Sequence, residues 1–426
     1  MGLTRSVGRR AAVLVLLPVL VASVVACATS GGSSTTQPGT AANGATSAPA
    51  GDAIRVGTIC DCTGADSSTM ADWGEVSQAW AQWTNANGGI NGHPVKMYVE
   101  DDASDPAQNL QAAKVLVEQD HVIAITDGSN VDQGSAAYLK QVGVPVVGGL
   151  SFQPTFLSND DFFTSGSTVY LYLYGEVKTL VDNGTKSLGV MYCAEYITCA
   201  GLGNLYEAFA KIDGSKLKVT PLSFSATSPS FDPQCLTLKQ AGVQALNIAS
   251  PDAVIRKIVS ACASVGYKPE MILGATSLLA TYPQAADADG TVLTSPNANA
   301  VDSSVPGVKD YLDAVSKYAP GAMTAPSWSQ QLIMGWAGAQ LFAAAAKAGG
   351  ITPSSTPADV KKGLYALKDD TLDGLAPPLT FTPGTQANPA CYFTMSISSG
   401  EFQTQAGTQP VCVTPAELTA IDKIGG

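Results

Sequence analysis

After Ile54 the chain alternates between short apolar runs suited to strands and longer segments with helical spacing. Residues 54–59 predict a strand. Residues 70–87 predict a helix, with Trp73, Val76, Trp80 and Trp83 on one broad face. The cluster Asn87-Gly88-Gly89-Ile90-Asn91-Gly92 is a turn signal. A strand over 95–99 follows, and Asp105-Pro106 opens a helix as N-cap and first-turn proline. Residues 122–126 predict a strand, 133–142 a helix and 144–150 a strand, and Phe162 and Phe163 mark a short extended piece. A second set repeats the scheme. Helices are predicted over 168–181, 202–212, 233–240 and 252–265, and strands over 188–192, 217–224, 245–249, 271–273 and 291–293. Helices then resume over 305–317, 328–347 and 357–367 before a hairpin, 392–397 with 401–404, around Ser399-Gly400. Strands alternating with helices predict parallel sheets covered on both faces. Two such sets, with helices returning after the second, predict an α/β chain of two lobes joined by more than one crossover.

The first residues break this pattern. Arg5, Arg9 and Arg10 precede an uncharged, mostly apolar run over 11–26 that Pro18 interrupts. That is the form of a secretory signal, too short to span a bilayer comfortably. It ends in Val24-Val25-Ala26-Cys27, similar to the lipobox of bacterial lipoproteins. The similarity implies cleavage before Cys27 and acylation of its thiol. Several acyl chains anchor firmly, since each buried CH2 contributes about 0.8 kcal/mol. Residues 27–52 then read as the lipidated cysteine and a flexible tether of Ser, Thr, Gly, Ala and Pro. The location expected is the outer face of the cell membrane.

Roughly 370 residues remain, enough for two domains. The formal charge is −12, and the signal region holds three arginines and no acid, so the mature chain is more acidic still. That balance excludes nucleic acid and anionic membrane surfaces as natural partners. Of nine cysteines, lipidation of Cys27 leaves eight, an even number that outside the cytoplasm points to disulfides. We pair Cys193 with Cys199, Cys235 with Cys262, and Cys391 with Cys412. Connectivity does not follow from sequence. Cys60 and Cys62 stay open, because a bridge between them closes a very small ring. No C-x2-C spacing is present, and the two histidines, His93 and His121, stand apart, so no metal is expected. No G-x-S-x-G elbow and no G-x-x-x-x-G-K-[ST] loop is found, and no cofactor or catalytic residue is expected.

A resemblance rests on several stretches in order. They are Ile54-Arg55-Val56-Gly57 leading to Thr63-Gly64, Trp83 through Gly92, Glu100-Asp101-Asp102 leading to Asp105-Pro106, and Val144-Pro145-Val146-Val147 leading to Ser151. Gly266-Tyr267-Lys268-Pro269, the helix from Trp328, and Ser399-Gly400-Glu401-Phe402 complete the series. Over nearly all of the chain after Ile54 the sequence resembles the type I periplasmic binding proteins of branched-chain amino acid ABC importers. The resemblance implies two α/β lobes, three crossovers at the hinge, and a ligand cleft between the lobes. Lobe one is expected over 53–166 and 295–372, and lobe two over 167–294 and 373–426. The expected protein is a monomer that captures a small carboxylate- or amide-bearing solute and delivers it to ABC permease subunits. A receptor module that senses a ligand for a signalling partner shares the fold and stays open as an alternative.

In an open parallel sheet, ligands sit beyond the carboxyl ends of the strands, where helix N-termini favour anions. Those ends are Cys62-Thr63-Gly64, Gly128-Ser129-Asn130 and Leu150-Ser151-Phe152 in lobe one. In lobe two they are Glu195-Tyr196, Ser250-Pro251-Asp252 and Thr276-Ser277. By the resemblance, Ser129 holds the substrate carboxylate, Trp73 covers the ligand, and Tyr196 matches a cleft tyrosine. The loop Leu150-Ser151-Phe152 carries Phe152 where the family has a threonine. Near Gly274-Ala275-Thr276 the family's amino acid binders have a glutamate for the substrate ammonium, and this chain has none. Glu195 or Asp252 is the replacement expected if the ligand carries an ammonium.

Overall fold

The computed structural model describes residues 49–194, 199, 201–404 and 408–425. The first sheet is five parallel strands: β1 (Ile54–Cys60), β2 (Val95–Asp101), β3 (Ile125–Gly128), β4 (Val146–Gly149) and β5 (Phe162–Phe163), ordered β2-β1-β3-β4-β5. Strand β1 is buried at every position except Arg55, as expected of a strand covered on both faces. The intervening helices are α1 (Trp73–Ala86), α2 (Pro106–Lys114), α3 (Gln133–Val142) and α4 (Thr155–Ser158). Asp105 caps α2 through Ala107 and Gln108 N–H groups, with Pro106 in the first turn, as the sequence predicts. Strand β3 starts later than expected, because His121 turns the chain at φ 55° after α2 and its π-helical extension Val115–Gln119.

The second sheet has the order β12-β11-β10-β9-β8-β6-β7, with β13 on β11. Its strands are β6 (Ser187–Cys193), β7 (Lys218–Phe224), β8 (Ala245–Ala249), β9 (Glu270–Gly274), β10 (Val292–Ser295), β11 (Cys391–Ser398), β12 (Glu401–Thr404) and β13 (Val411–Cys412). Helices α5 (Val169–Asp182), α6 (Leu202–Phe209), α7 (Asp232–Gln240) and α8 (Asp252–Ser264) belong to it. Neighbouring strands from β6 to β10 pair in parallel, whereas β11 is antiparallel to both β10 and β12. The sheet is therefore mixed rather than wholly parallel. The cause is the path between β10 and β11, which leaves the sheet instead of winding back over it.

That path holds α9 (Pro306–Tyr318), α10 (Leu332–Ala348) and α11 (Pro357–Ala366), which pack on α1 and the first sheet. Helix α10 is apolar almost all round because it is enclosed between α1, α11 and strands β3 and β4. It starts at Leu332, not 328, since Trp328 to Gln331 are used in another contact described below. The last helix, α12 (Pro415–Gly425), packs on α5.

The chain thus passes between the sheets after β5, after β10 and before β11. Asn297 ties these passages together: its Nδ2 donates to the carbonyls of Ser165 at 2.8 Å and Leu375 at 3.2 Å. Ser167 N–H donates to the Pro296 carbonyl. The core of lobe one continues through Leu379, Phe381 and Ala387, with Phe381 edge-on to Phe163. The return to lobe two therefore lies beyond the expected boundary at 372. The three expected cysteine pairs are bonded, and Cys60 is bonded to Cys62 as well. The chain bends at Asp61 and brings those two Cα atoms to 5.1 Å, within bridging range.

Candidate functional site

The loops that follow the carboxyl ends of β4 and β9 meet the opposite lobe. Two contacts fix this. Leu279 bridges Ser329, with Ala280 N–H donating to the Trp328 carbonyl at 2.8 Å, so the loop after β9 touches the segment before α10. Phe152, after β4, is half-buried and packs against the cores of both lobes.

Behind the lobe-one strand ends lie four buried aspartates: Asp61, Asp102, Asp127 and Asp132. Asp61 Oδ2 accepts from the Asn130 backbone N–H and side-chain amide, at 2.8 and 2.7 Å. Burial, then hydrogen bonding to the Asp102 carboxyl, pushes Asp61 up to about 8. Burial, then the charge of Asp132, holds Asp127 well above the usual carboxylate range. Burial raises Asp132 to about 6 against the bond it accepts from Thr155. Asp61 Oδ1, Asp127 Oδ2 and Asp132 Oδ1 have no donor among the described residues. Carboxyls that keep a proton and share it with the neighbouring acid account for those oxygens. No group of three His, Cys, Asp or Glu among the described residues is arranged to hold a metal ion.

Several expected ligand residues are committed within this wall. Ser129 is fully buried. Its hydroxyl donates to Asp102 Oδ2 and accepts from the Asn109 amide and Val131 N–H, both at 3.1 Å. It holds the acid cluster, and no capacity is left for a ligand carboxylate. Trp73 is also enclosed: its Nε1 donates to Thr58 Oγ1 at 2.9 Å, and its ring lies on Gly128 and Gly335. A Cβ on Gly128 would come within 2.4 Å of the indole, which is why the strand ends in glycine there. Trp73 is a core residue of lobe one rather than a lid. Ser151 donates to the Ser167 carbonyl at 2.9 Å and so fastens the β4 loop to the first crossover. Leu150 is core. Asn130, bound to Asp61, also accepts from the Gln153 amide at 2.9 Å.

Lobe two is arranged differently. Asp252 is ion-paired with Arg256 one turn on and accepts from the Leu279 N–H, so it is not free for a ligand ammonium. Ser250 is buried, and its Oγ has no partner among the described residues. Thr276 meets the phenol of Tyr172. Beneath them is an acid that sequence reasoning missed. Glu176, on α5, is fully buried. Its Oε2 accepts from Tyr206 at 2.6 Å and Asn247 at 2.7 Å, and its Oε1 accepts from Thr294 at 3.3 Å. Burial pushes Glu176 up to about 8, with the three donors pulling it back down. A signal was available, because Tyr172, Glu176 and Leu180 are spaced i, i+4, i+8 on one buried face. Tyr196, Glu195 and Cys27 lie outside the described residues. A hollow of about 610 Å³ lies beside the contact of Leu279 with Ser329, between the loop after β9 at Ala280, Pro283 and Gln284, strand β12 and the loop Asn299 to Asp302, and none of the expected ligand residues lines it.

Residues 53–401 match the family model described as periplasmic binding protein. The chain belongs to that family. Solved structures agree on the fold. This periplasmic binding protein is 17% identical to a possible leucine/isoleucine/valine-binding protein from Rhodopirellula baltica, at a TM-score of 0.69 over 85% of this chain and 98% of the other. An extracellular ligand-binding receptor from Verminephrobacter eiseniae is 15% identical, at 0.69 over 82% and 99%. A fatty acid ABC transporter substrate-binding protein from Thermomonospora curvata is 17% identical, at 0.68 over 86% and 94%. A curated amino acid binding protein from Pseudomonas aeruginosa is 42% identical over 73 residues, which is 17% of this chain and 19% of that protein. The protein has the type I architecture, and its family is one of extracytoplasmic solute binders.

Proposed function

We propose that this periplasmic binding protein captures a small organic solute between its lobes and delivers it to the permease of an ABC importer. The observation that carries the reading is Phe152, which extends from a lobe-one strand end and packs on both cores. A gap spanned in this way is closed by the lobes moving together, and solute that binds the closed state better shifts the population toward it. The names of the solved relatives, amino acid binders and a fatty acid binder, support solute capture while differing in ligand. The N-terminal signal pattern and Cys27 support lipid anchoring. Since Ser129 and Trp73 are committed inside lobe one, ligand contacts fall to Phe152, Ser250, Thr276 and the groups beside them.

Thermal unfolding of the mature protein in detergent tests this, against amino acids, aromatic and aliphatic acids, amides and polyols. A ligand of the folded state alone raises stability by about 2.7 kcal/mol at a hundredfold excess over Kd. A shift that saturates with one chemical class supports capture. A folded sample that responds to nothing in the panel sinks it.

A further inference from the structure

A strand at the edge of a sheet leaves alternate N–H and C=O groups without a strand partner, and most chains cover such an edge. The edges of the two sheets here differ in cover. On β2, Asn85 accepts from the Val95 N–H at 2.7 Å and donates to the Val95 carbonyl at 2.9 Å, and Gln78 donates to the Met97 carbonyl at 3.1 Å. Strand β7 carries Pro221 in its middle, which has no N–H to offer. Strand β5 is only two residues long. Strand β12 ends the second sheet on the side away from β7. Its neighbour shows which of its groups point outward. Ile397 N–H donates to the Thr291 carbonyl, and the Ile397 carbonyl accepts from Gly290 N–H, so both are used on the side away from β12. Phe402, opposite Ile397, therefore turns its N–H and C=O away from β11, and by alternation so does Thr404. The side chains nearby are engaged elsewhere: Gln284 donates to the Gly400 carbonyl, and Asn299 and Asp302 bond the Thr404 hydroxyl.

The hollow of about 610 Å³ lies along that strand. All five residues from Gly400 to Thr404 line it, and the edge is the part of a strand that residues of both faces share. The outward groups of Phe402 and Thr404 are two residues apart, about 7 Å, which is the repeat of an extended chain. Asp302 and Glu401 line the hollow, and no lysine, arginine or histidine does among the described residues. Burial raises Asp302, but bonds from Ser304 and Thr404 outweigh it and hold the carboxyl below the usual range, so it is ionised. A second copy does not fit the hollow, because its own β12 is recessed between the same two loops. A slender chain of opposite charge does.

We propose that the outer edge of β12 is a docking site for an extended, basic peptide segment of a partner protein, which adds to the second sheet as a further strand. Main-chain bonds to Phe402 and Thr404 supply affinity, and Asp302 and Glu401 select against acidic sequences. Val301, 42% exposed on the rim, offers an apolar contact. The site is separate from solute capture, and either reading stands without the other.

The test uses the mature protein and the capped peptide Lys-Thr-Val-Thr-Lys. Its controls are Glu-Thr-Val-Thr-Glu and a version of the basic peptide N-methylated at its three central residues. Calorimetry reads affinity, and amide hydrogen exchange reads where the peptide sits. The basic peptide should bind and slow exchange at the Phe402 and Thr404 amides, with no change along β7. The acidic peptide should bind at least tenfold more weakly, and the N-methylated one should not bind. Glu401 is exposed, so E401K keeps the fold. It should weaken the basic peptide and strengthen the acidic one, each by about threefold to fivefold. Absence of binding by the basic peptide up to millimolar concentration overturns the inference. So does binding that survives N-methylation, or binding that leaves the Phe402 and Thr404 amides unprotected.

Discussion

Lobe one keeps Asp61, Asp102, Asp127 and Asp132 behind its strand ends, and lobe two keeps Asp252 and Glu176 behind its own. All are buried, yet they are stabilised in different ways. Asp252 has a cation, Arg256, one turn away. Glu176 has three neutral donors. The lobe-one acids have neutral donors and one another, and the oxygens without donors face the need for a shared proton. A buried carboxylate thus has three routes to stability: an opposite charge, a set of donors, or its own proton. Each route leaves the wall sensitive to a different perturbation.

The largest effect comes from breaking the lobe-one wall mechanically. W73A removes a fully enclosed indole and the bond to Thr58, and about 3–5 kcal/mol of unfolding free energy is lost. Urea denaturation measures it, and a loss under about 1 kcal/mol would return Trp73 to a surface role. Next, R256A strips Asp252 of its cation. Arg256 is about a third exposed, so the loss is discounted for screening to about 1–2 kcal/mol. The same denaturation reads it, and R256A without effect would mean that solvent already neutralises Asp252. S151A, which frees the β4 loop from the first crossover, costs about 1 kcal/mol. An unchanged midpoint would show the hinge bond to be replaceable by water.

The smallest effect at acid pH, and the sharpest on the difference between the walls, is D61N. Asp61 and Glu176 are raised to about 8 and Asp132 to about 6, so the folded state holds protons that the unfolded chain releases near pH 4. Their favourable contribution is complete below about pH 4 and is lost as pH rises through about 6 to 8. Asp359, held down to about 2 chiefly by the Thr356 N–H, acts in the opposite sense, and only below about pH 4. Stability should therefore fall from pH 5 to 9. D61N should change it by less than about 0.5 kcal/mol at pH 5 while flattening that slope. Stability that rises across the window, or an unchanged slope in D61N, would mean that the lobe-one acids are ionised and paired in some other way.

Much of the layout was legible in the sequence. The alternation after Ile54, the Asp105-Pro106 cap and the Ser399-Gly400 hairpin turn are local matters, decided by period, capping and left-handed backbone at φ 56° and 78°. The site was less legible. Ser129 and Trp73 occupy the expected positions along the chain, but their side chains turn inward, because Asp102 and Thr58 offer partners there. Asp252 stands at a strand-end loop as the sequence predicts, but Arg256 on the same helix face pairs with it. Glu176 gives no signal at a strand end because it stands on helix α5.

By itself the sequence determined what depends on neighbours along the chain. That includes the succession of elements, the two sets they fall into and the membership of the family. The tertiary structure alone decided which polar groups are already satisfied and which are left over. Hydrogen-bond capacity is settled by groups that meet in space, such as Ser129 with Asp102 or Glu176 with Asn247, and their separation in sequence carries no record of the meeting. For the same reason the contact of Gly274 with Tyr172 and Glu176 became visible only when α5 lay behind β9.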